Sequence, residues 1–278
     1  MNILTIDLEE WFHAVFETDP AGWRDKKVRI YHNTEFLLNT LKERNLKATF
    51  FVVGWIARQY PDLIKTIHEE GFEIGSHSDN HRTAYMFTKA EFKDDVKRSV
   101  ESLEMLTREK IKLFRAPYFS ITNSTADYLE TLLENGIETD SSICCAVTKY
   151  GGFRGFKTGN PCLINFGNSY LKEYPMSTYP FYNRHFLFSG GGYFRLLPLS
   201  IIKMLLKKLP YNMTYFHPHD FDEAPPAIDI SFKDNIRRTI GTKGAQSKFK
   251  RMLSSVDFID IANANQMIDW SNVPVIKL

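Results

Sequence analysis

The sequence ATFFVV at residues 48–53 is a short run of aromatic and β-branched residues, the composition of a buried β-strand. A polar and apolar segment follows it, which Pro61 opens and Gly71 closes, and this pattern predicts a helix over 61–70. A second short apolar run, Phe72–Gly75, comes directly after that glycine. A strand, a helix and a strand in this order form the repeating unit of a parallel sheet.

The same alternation continues on both sides of this unit. It predicts further strands at 3–6, 112–115, 137–140, 213–217 and 257–261. It also predicts helices at 34–44, 88–108, 125–134, 196–209, 247–253 and 262–268. Thr88 and Glu91 have the spacing of a capping box at the start of the second of these helices. We therefore predict an α/β protein whose parallel sheet is open or closed into a barrel.

Two segments interrupt this alternation. Residues 145–195 are rich in Gly, Tyr, Phe and Asn, which predicts strands and long loops on one face. Residues 219–246 contain Pro225-Pro226 and predict a polar loop, whose Lys and Arg side chains we expect to be solvated. Neither segment resembles a linker between domains. We predict a single domain over residues 1–278 with these two segments as insertions.

Composition limits the classes of protein and partner. The chain has 278 residues and a net charge of +2, so no nucleic-acid partner is expected. Three cysteines at irregular spacing, Cys144, Cys145 and Cys162, do not form a disulfide framework. The N-terminus does not look like a signal peptide. Leu196–Leu209 is too short and too charged for a transmembrane span. These features predict a cytoplasmic protein.

Chemically reactive side chains follow several of the predicted strands. In parallel α/β folds, functional sites form where the carboxyl ends of the strands meet. The side chains placed at such ends are Asp7, Glu9, His77, Arg115, Asp140 and His217. We expect them to lie close together.

His77 and His81 are four residues apart, which places both imidazoles on one side of a helical turn or a tight loop. A metal site can use such a pair, although two surface histidines at this spacing are the commoner explanation of the pair alone. The acidic stretch Asp7-Leu8-Glu9-Glu10 follows the first strand. In an extended chain Asp7 and Glu9 point to the same side, so one could bind a metal and the other act as a base. An acidic turn is the alternative.

The stretch Phe114-Arg115-Ala116-Pro117-Tyr118 is a strand followed by a rigid turn. Arg115 can orient a buried carboxylate, and the backbone N–H of Tyr118 can face an oxyanion. His217 ends a later strand, and Asp140 is the acid that we expect to keep it protonated.

These elements resemble, in this order, the NodB-homology polysaccharide deacetylases. The family's five motifs correspond here to Thr5–Glu9, His77–His81, Arg115–Tyr118, Asp140 and His217. The resemblance implies a distorted (β/α)7-type barrel and a divalent metal, most often Zn²⁺. It implies that His77 and His81 bind the metal, that Asp7 is the base positioned by Arg115, and that Asp140 tunes His217 as general acid.

The first motif departs from the family pattern. Many members have a second, metal-binding Asp where this chain has Leu8, which cannot be a ligand. We predict that Glu9 is the third ligand, with Glu10 as the fallback. The segments Ser189–Pro198 and His217–Asp220 also resemble a branch associated with exopolysaccharide and O-antigen gene clusters.

The resemblance implies hydrolysis of an N-acetyl group on an amino sugar, with release of acetate. The expected partner is an N-acetylated saccharide or a sugar on a carrier. Trp11, Tyr118 and Tyr193 are the candidate sugar-binding aromatics, whereas we expect Phe12 to pack in the core. Hydrolysis of a cyclic amide on the same fold, or carbohydrate binding without catalysis, are the alternatives.

Overall fold

The computed structural model describes residues 1–13, 20–182, 184–228 and 230–278. In its first half, short strands alternate with helices as predicted. The strands are β1 Asn2–Ile3, β2 Thr5–Leu8, β3 Thr49–Val52, β4 Glu73–Ser76, β5 Leu113–Phe114 and β6 Thr139–Asp140. The helices are α1 Pro20–Trp23, α2 Ile30–Lys42, α3 Gly54–Gln59, α4 Pro61–Glu69, α5 Lys89–Thr107 and α6 Glu130–Glu134.

The second half is more irregular. Its strands are β7 Cys162–Phe166, β8 Ser169–Glu173, β9 Thr178–Phe181, β10 Arg184–Leu187, β11 Asn212–Met213 and β12 Val275–Ile276. Its helices are α7 Gly191–Leu196, α8 Leu199–Lys208, α9 Phe232–Thr239, α10 Ala245–Leu253 and α11 Ile261–Met267. Short 3-10 turns occupy Ala84–Met86, Pro117–Phe119, Ala126–Leu129 and Pro218–Phe221. Within the described part of the chain, no helix is long and apolar enough to cross a membrane.

The predicted helix boundaries have local causes that the structure shows. The backbone N–H of Thr88 donates to Glu91 Oε2 at 2.8 Å, and the backbone N–H of Glu91 donates to Thr88 Oγ1 at 3.3 Å. This is the predicted capping box, which satisfies donors that the first turn of α5 leaves unpaired. Pro61 is the first residue of α4, and Gly71 follows that helix with a φ of 76°. Glycine tolerates this left-handed conformation and allows the chain to turn into β4.

The main sheet has the strand order β12-β7-β8-β6-β5-β4-β3-β2. Neighbouring strands in it are parallel except for the antiparallel pair β7–β8. Beyond β2, Ile6 forms a parallel bridge with Phe216, and β1 pairs in parallel with β11. Strands from both ends of the chain thus lie side by side. The fold is the predicted distorted (β/α)7-type barrel.

The register of the sheet aligns the carboxyl ends of its central strands. Leu8 pairs with Val52, Val52 with Ser76, and Ser76 with Phe114. The residues that come next, Glu9, His77 and Arg115, therefore leave the sheet at one level. This alignment brings together motifs that lie far apart in the sequence.

Two segments differ from their prediction. Residues 219–246 are not simply a polar loop: they include part of the 3-10 turn at Pro218–Phe221, and α9. Ser231 caps α9 by accepting from the backbone N–H of Asp234 at 3.1 Å. The predicted strand at 257–261 is reduced to one bridge between Ile3 and Ile259.

Candidate metal centre and active site

Glu9, His77 and His81 form a cluster at the carboxyl end of the sheet. Their ligand atoms lie within 4.8 Å of one another, and all three side chains are buried. Glu9 Oε2 is in direct contact with His81 Nε2. One carboxylate and two imidazoles are a ligand set that Zn²⁺ and related cations accept. The structure therefore brings together the three predicted metal ligands.

His77 is held so that one ring nitrogen remains available. Its backbone N–H donates to Val52 O at 2.9 Å, which continues the sheet pattern beyond β4. Its Nδ1 lies 2.8 Å from the carbonyl oxygen of Arg115, to which it donates, so Nε2 carries the lone pair. Burial lowers the pKa of His77 to about 4, despite the nearby charge of Asp7. The imidazole is thus neutral, the form that binds a metal.

His81 lies in a tight loop and not on a helical turn. Ser78 and His81 both have positive φ values, 61° and 51°. The backbone N–H of Gly54 donates to Ser78 O at 2.9 Å, and that of Trp55 donates to Asp79 O at 2.9 Å. The first backbone N–H groups of α3, which have no partner within the helix, therefore fix the loop by these two hydrogen bonds.

The side chain of Asp79 anchors the same loop to α3 and α5. It accepts from Arg58 and Arg98, and its backbone N–H donates to Asp95 Oδ2 at 2.7 Å. A Cβ atom on Gly54 would come 2.4 Å from Asp79 Oδ1, so only glycine fits there. The second family motif is thus held by α3 and α5 together.

The acidic stretch at the carboxyl end of β2 places Asp7 and Glu9 on one side of the chain and Glu10 on the other, as expected for an extended chain. Asp7 and Glu9 both line the cavity that lies beside the cluster of Glu9, His77 and His81. Burial would raise the pKa of Glu9, but the neighbouring His81, His217 and His219 lower it well below its usual value. Glu10 faces away, and its Oε1 accepts from the backbone N–H groups of Arg29 at 2.6 Å and Ile30 at 2.8 Å. Glu9, and not the fallback Glu10, is therefore the carboxylate beside the two histidines.

Arg115 holds Asp7 in position. The Nη1 atom of Arg115 donates to Asp7 Oδ1 at 2.7 Å and to Thr5 Oγ1 at 2.6 Å. Its Nη2 and Nε atoms donate to the hydroxyl and the carbonyl of Ser141 at 2.9 and 3.2 Å. The predicted contact with Asp7 is present, but it is a single hydrogen bond. The remaining donors orient the guanidinium and do not form a two-pronged pair.

His217 lies close to both Asp7 and Glu9. Its Nε2 lies 3.9 Å from Asp7 Oδ2 and 3.8 Å from Glu9 Oε1. Its Nδ1 lies 2.9 Å from Asp220 Oδ2. Burial lowers the pKa of His217, but the charges of Asp220, Glu9 and Asp7 outweigh it and raise the pKa to about 9. The ring is therefore protonated at neutral pH.

The acidic partner of His217 is thus Asp220, and the prediction of Asp140 was wrong. Asp140 is the last residue of β6 and is fully buried, where it accepts from the Ser142 hydroxyl at 2.5 Å. Ser142 Oγ in turn accepts from the backbone N–H of Ala116 at 2.7 Å. Burial raises the pKa of Asp140, and also that of the adjacent Glu173. Asp140 therefore supports the turn after Arg115 from within the barrel.

Arg195 is a second residue that the sequence did not indicate. Its Nε lies 3.1 Å from Asp220 Oδ1. Its Nη1 donates to the carbonyl oxygens of Arg238 and Ile240, at 2.7 and 3.0 Å. A guanidinium at the end of a helix interacts favourably with the helix dipole. Arg195 therefore links the His217–Asp220 pair to the C-terminal end of α9.

Comparison with known families agrees with this geometry. Residues 21–135 match the model of the polysaccharide deacetylase family, and residues 141–266 match a domain of unknown function, DUF3473. The chain carries a polysaccharide deacetylase domain. Asp7 and Glu9 precede the first matched segment, while His217, Asp220 and Arg195 lie in the second.

Individual relatives show the extent of the likeness. A peptidoglycan-N-acetylglucosamine deacetylase of Bacillus cereus is 32% identical over 146 residues, which are 49% of this chain and 54% of that protein. The chain spans about half or less of the length of the first curated relatives that it matches.

Solved structures extend the likeness of fold to the whole chain. A candidate polysaccharide deacetylase from Mycobacterium smegmatis has a TM-score of 0.66 at 18% identity, over 100% of this chain and 93% of that one. A pseudoenzyme of carbohydrate esterase family 4 from Bacillus anthracis has a TM-score of 0.52 at 12% identity, over 99% and 66%. At these identities the likeness concerns the fold.

A cavity of about 1430 Å³ is lined by the residues of the cluster, Glu9, His77 and His81. Tyr118 and Tyr193 line it, and Tyr193 is 44% exposed, which suits a sugar platform. Trp11 does not: it is only 3% exposed, and its Nε1 donates to Lys27 O at 2.8 Å. The prediction of Trp11 as a sugar-binding residue was therefore wrong, because this ring packs below the site with Phe12. The core position expected for Phe12 is confirmed.

The helix α9 completes the outer wall of the same pocket. Ile236, Arg237 and Ile240 line the cavity, opposite Tyr118 and its neighbour Tyr150. The basic side chains of this segment were expected to be solvated, and Arg237 lines the cavity while its side chain stays 62% exposed. None of the α9 side chains is buried, and the spacing of Phe232, Ile236 and Ile240 was the available signal for this helix.

Proposed function

We propose that this deacetylase domain hydrolyses the N-acetyl group of an amino sugar in a saccharide or glycan precursor and releases acetate. One observation carries the proposal: Asp7 Oδ2 and His217 Nε2 lie 3.9 Å apart, beside the cluster of Glu9, His77 and His81. A proton acceptor and a proton donor thus stand together at a candidate metal site. Amide hydrolysis needs these two functions at one carbon–nitrogen bond.

The three clustered side chains fit a divalent cation. Hydrogen bonding at His77 Nδ1 leaves Nε2 free to bind, and the Glu9 carboxylate supplies negative charge. We infer that Glu9, His77 and His81 hold it and that it is Zn²⁺, since imidazole ligands favour zinc over calcium or magnesium. Bound there, such an ion would polarise the amide carbonyl and lower the pKa of a bound water to roughly 7.

The protein groups divide the proton transfers between them. Asp7, fixed by Arg115, accepts a proton from the water as its oxygen bonds to the acetyl carbon. His217, kept cationic by Asp220, donates its Nε2 proton to the sugar nitrogen as the carbon–nitrogen bond breaks. The products are acetate and a free amino sugar. Stabilisation of the oxyanion by the backbone N–H of Tyr118 stays a prediction.

The size of the cavity suggests the class of substrate. A volume of about 1430 Å³ exceeds the 300–1000 Å³ of a typical small-ligand site. We infer that the pocket accepts several sugar units or a sugar joined to a carrier. The relatives named peptidoglycan-N-acetylglucosamine deacetylases support N-acetylglucosamine as the unit to test first. The exopolysaccharide branch and the cytoplasmic location stay predictions, and cell fractionation tests the latter.

Acetate release from a panel of substrates tests the proposal. The panel contains N-acetylglucosamine oligomers, nucleotide-linked N-acetyl sugars and lipid-linked N-acetyl sugars. We expect acetate and free amine in equal amounts, lost after chelation and restored by Zn²⁺. Saccharide binding without any acetate would instead identify a binding protein on this fold. Ring opening of a cyclic amide without acetate release would identify the other alternative.

A further inference from the structure

We propose that the pocket contains a second divalent-cation site, formed by Glu9, His217 and His219. The ligand atoms of these three residues lie within 4.8 Å of one another, as do those of Glu9, His77 and His81. The two groups share only Glu9. The proposed first site uses neither His217 nor His219, so the second group is a distinct set of ligands.

The carboxylate of Glu9 is placed to bridge two cations. Its Oε2 contacts His81 Nε2, on the side of the first site. Its Oε1 lies 3.8 Å from His217 Nε2 and 3.8 Å from His219 Nδ1, on the other side. Each oxygen thus faces its own group of imidazoles. In two-metal hydrolase sites the ions are typically about 3.5–4 Å apart, a separation that one bridging carboxylate can span.

His219 has no other role that its contacts explain. Its ring stacks on His217, with centroids 4.9 Å apart and planes inclined by 13°. Its side chain is 13% exposed, and its buried Nδ1 has no hydrogen-bond partner among the described residues. A buried, unpaired ring nitrogen that faces a carboxylate costs free energy unless something binds it. A cation between Nδ1 and Glu9 supplies that partner.

The contacts of His217 suit the same cation. Asp220 binds Nδ1 of His217, so Nε2 points at Glu9 and Asp7. A carboxylate behind a ligand histidine is the usual arrangement at metal sites. A set of two imidazoles and one carboxylate selects Zn²⁺ and its transition-metal neighbours over Mg²⁺ or Ca²⁺.

Binding of this second ion opposes the proposed reaction. His217 Nε2 can carry the proton for the leaving nitrogen or bind a cation, but it cannot do both. Excess zinc is therefore expected to inhibit acetate release by removing the general acid. This consequence rests on the proposed function, whereas the second site itself does not.

Metal titration of the full chain tests the site without any substrate. Chelator-treated protein is titrated with Zn²⁺ by calorimetry, and with Co²⁺ by visible absorption. We expect two binding steps in the wild type. His219→Phe keeps the stacked ring but removes both nitrogens, so the second step should weaken by at least about 10-fold while the first remains. His32→Phe, on the exposed side of α2, is the matched control and should keep both steps.

Each outcome decides the proposal. Two steps in the wild type and one in His219→Phe support it, and the surviving first step shows that the variant is folded. A single step in the wild type up to millimolar zinc overturns it, as does a second step of unchanged affinity in His219→Phe. In the acetate assay, inhibition should move to at least about 10-fold higher zinc in His219→Phe. Absence of acetate at every zinc concentration contradicts the proposed function, while the binding titration decides the second site.

Discussion

The Nδ1 atom of His217 lies 2.9 Å from Oδ2 of Asp220, three residues further along the chain. The same oxygen accepts from the backbone N–H of His217 at 2.9 Å, which closes the 3-10 turn that begins at Pro218. A local turn thus supplies the acid that raises the pKa of His217 to about 9, and no distant strand is needed.

Asp220→Asn should reduce activity and change its dependence on pH. In the wild type His217 is protonated below about pH 9 and loses its proton above it, so activity should fall as pH rises through that value. Without the carboxylate, the pKa of His217 should fall toward the ordinary value near 6.5. We expect kcat/KM at pH 8 to fall on the order of 10²-fold, with the alkaline limb displaced toward neutral pH. Acetate release measured from pH 5 to 10 checks this.

Asp140→Asn is the matched control for that experiment. Asp140 contacts Ser142 and lies beside Glu173, so its loss should not move the alkaline limb. A displaced limb in Asp140→Asn and an unmoved limb in Asp220→Asn would restore the original assignment.

The sequence was sufficient to predict the fold and which side chains meet at the strand ends. Apolar runs followed by Asp7, His77 and Arg115 placed these residues at strand ends, and the parallel register then brought the ends to one level. Asp140 and Asp220 could not be ranked in this way, because each lies at the end of a predicted strand or shortly after one. Proline directly after His217 favours a helical turn, in which the side chain of Asp220 reaches back to His217. That proline was the signal in the sequence that favoured Asp220.

Two further differences concern Trp11 and α9. Whether Trp11 faces the pocket or the core depends on how the chain turns after Glu9. The local sequence does not reveal the direction of that turn. The helix α9 buries none of its side chains, but Phe232, Ile236 and Ile240 have the four-residue spacing of a helix face, and this was the signal for it. Its Ser231 and Asp234 had the spacing of a cap, which is a weaker signal.

Loss of His77 and His81 should remove the metal. A His77→Ala/His81→Ala variant leaves Glu9 as the only member of the first ligand group, and one carboxylate does not retain zinc. We expect elemental analysis to find about one zinc fewer per chain than in the wild type, with acetate release abolished. His68→Ala, on α4 and away from the pocket, is the control that should keep its metal. Full metal content in the double variant would contradict the ligand assignment.

Glu73 predicts a change of stability with pH. Burial raises the pKa of this carboxyl from 4.5 to about 7, although the Thr49 hydroxyl donates to it at 2.5 Å. Between these two values the folded state binds more protons than the unfolded state, so stability should fall as pH rises from about 4.5 to 7.

Glu73→Gln should remove this dependence. An amide keeps an acceptor for Thr49 but cannot ionise, so the variant should gain roughly 1–3 kcal/mol over the wild type at pH 8 and little at pH 4.5. Denaturant unfolding at the two pH values measures it. Glu69→Gln, exposed on α4, is the control, and an equal gain in both variants would show that burial is not the cause.

Arg115→Lys should lower both activity and stability. The fully buried guanidinium makes hydrogen bonds to Thr5, Asp7 and Ser141 from three different nitrogens. One ammonium cannot reach all of these acceptors, and each buried acceptor left unpaired is costly. We expect a loss of about 2–4 kcal/mol in the free energy of unfolding and a clear fall in kcat. Arg108→Lys, at the exposed end of α5, should change neither quantity.

Asp7→Asn separates the role of base from the role of ligand. Asp7 is bound to Arg115 and faces His217, and it is not a member of the cluster formed by Glu9, His77 and His81. A carboxylate that binds a cation is a poor proton acceptor, whereas a base must stay close to the attacking water without being consumed by the metal. The amide keeps the shape of Asp7 and an oxygen for Arg115, but it cannot accept the proton.

We therefore expect kcat for Asp7→Asn to fall on the order of 10²–10⁴-fold while zinc content remains that of the wild type. Acetate release and elemental analysis on the same preparation measure both quantities. If the variant loses its zinc, Asp7 is chiefly a ligand, and the base must be sought elsewhere in the pocket. If it keeps both its zinc and near-normal acetate release, no proton passes through Asp7. In that case its bond to Arg115 has a structural role, because the rest of the site is unchanged by the substitution.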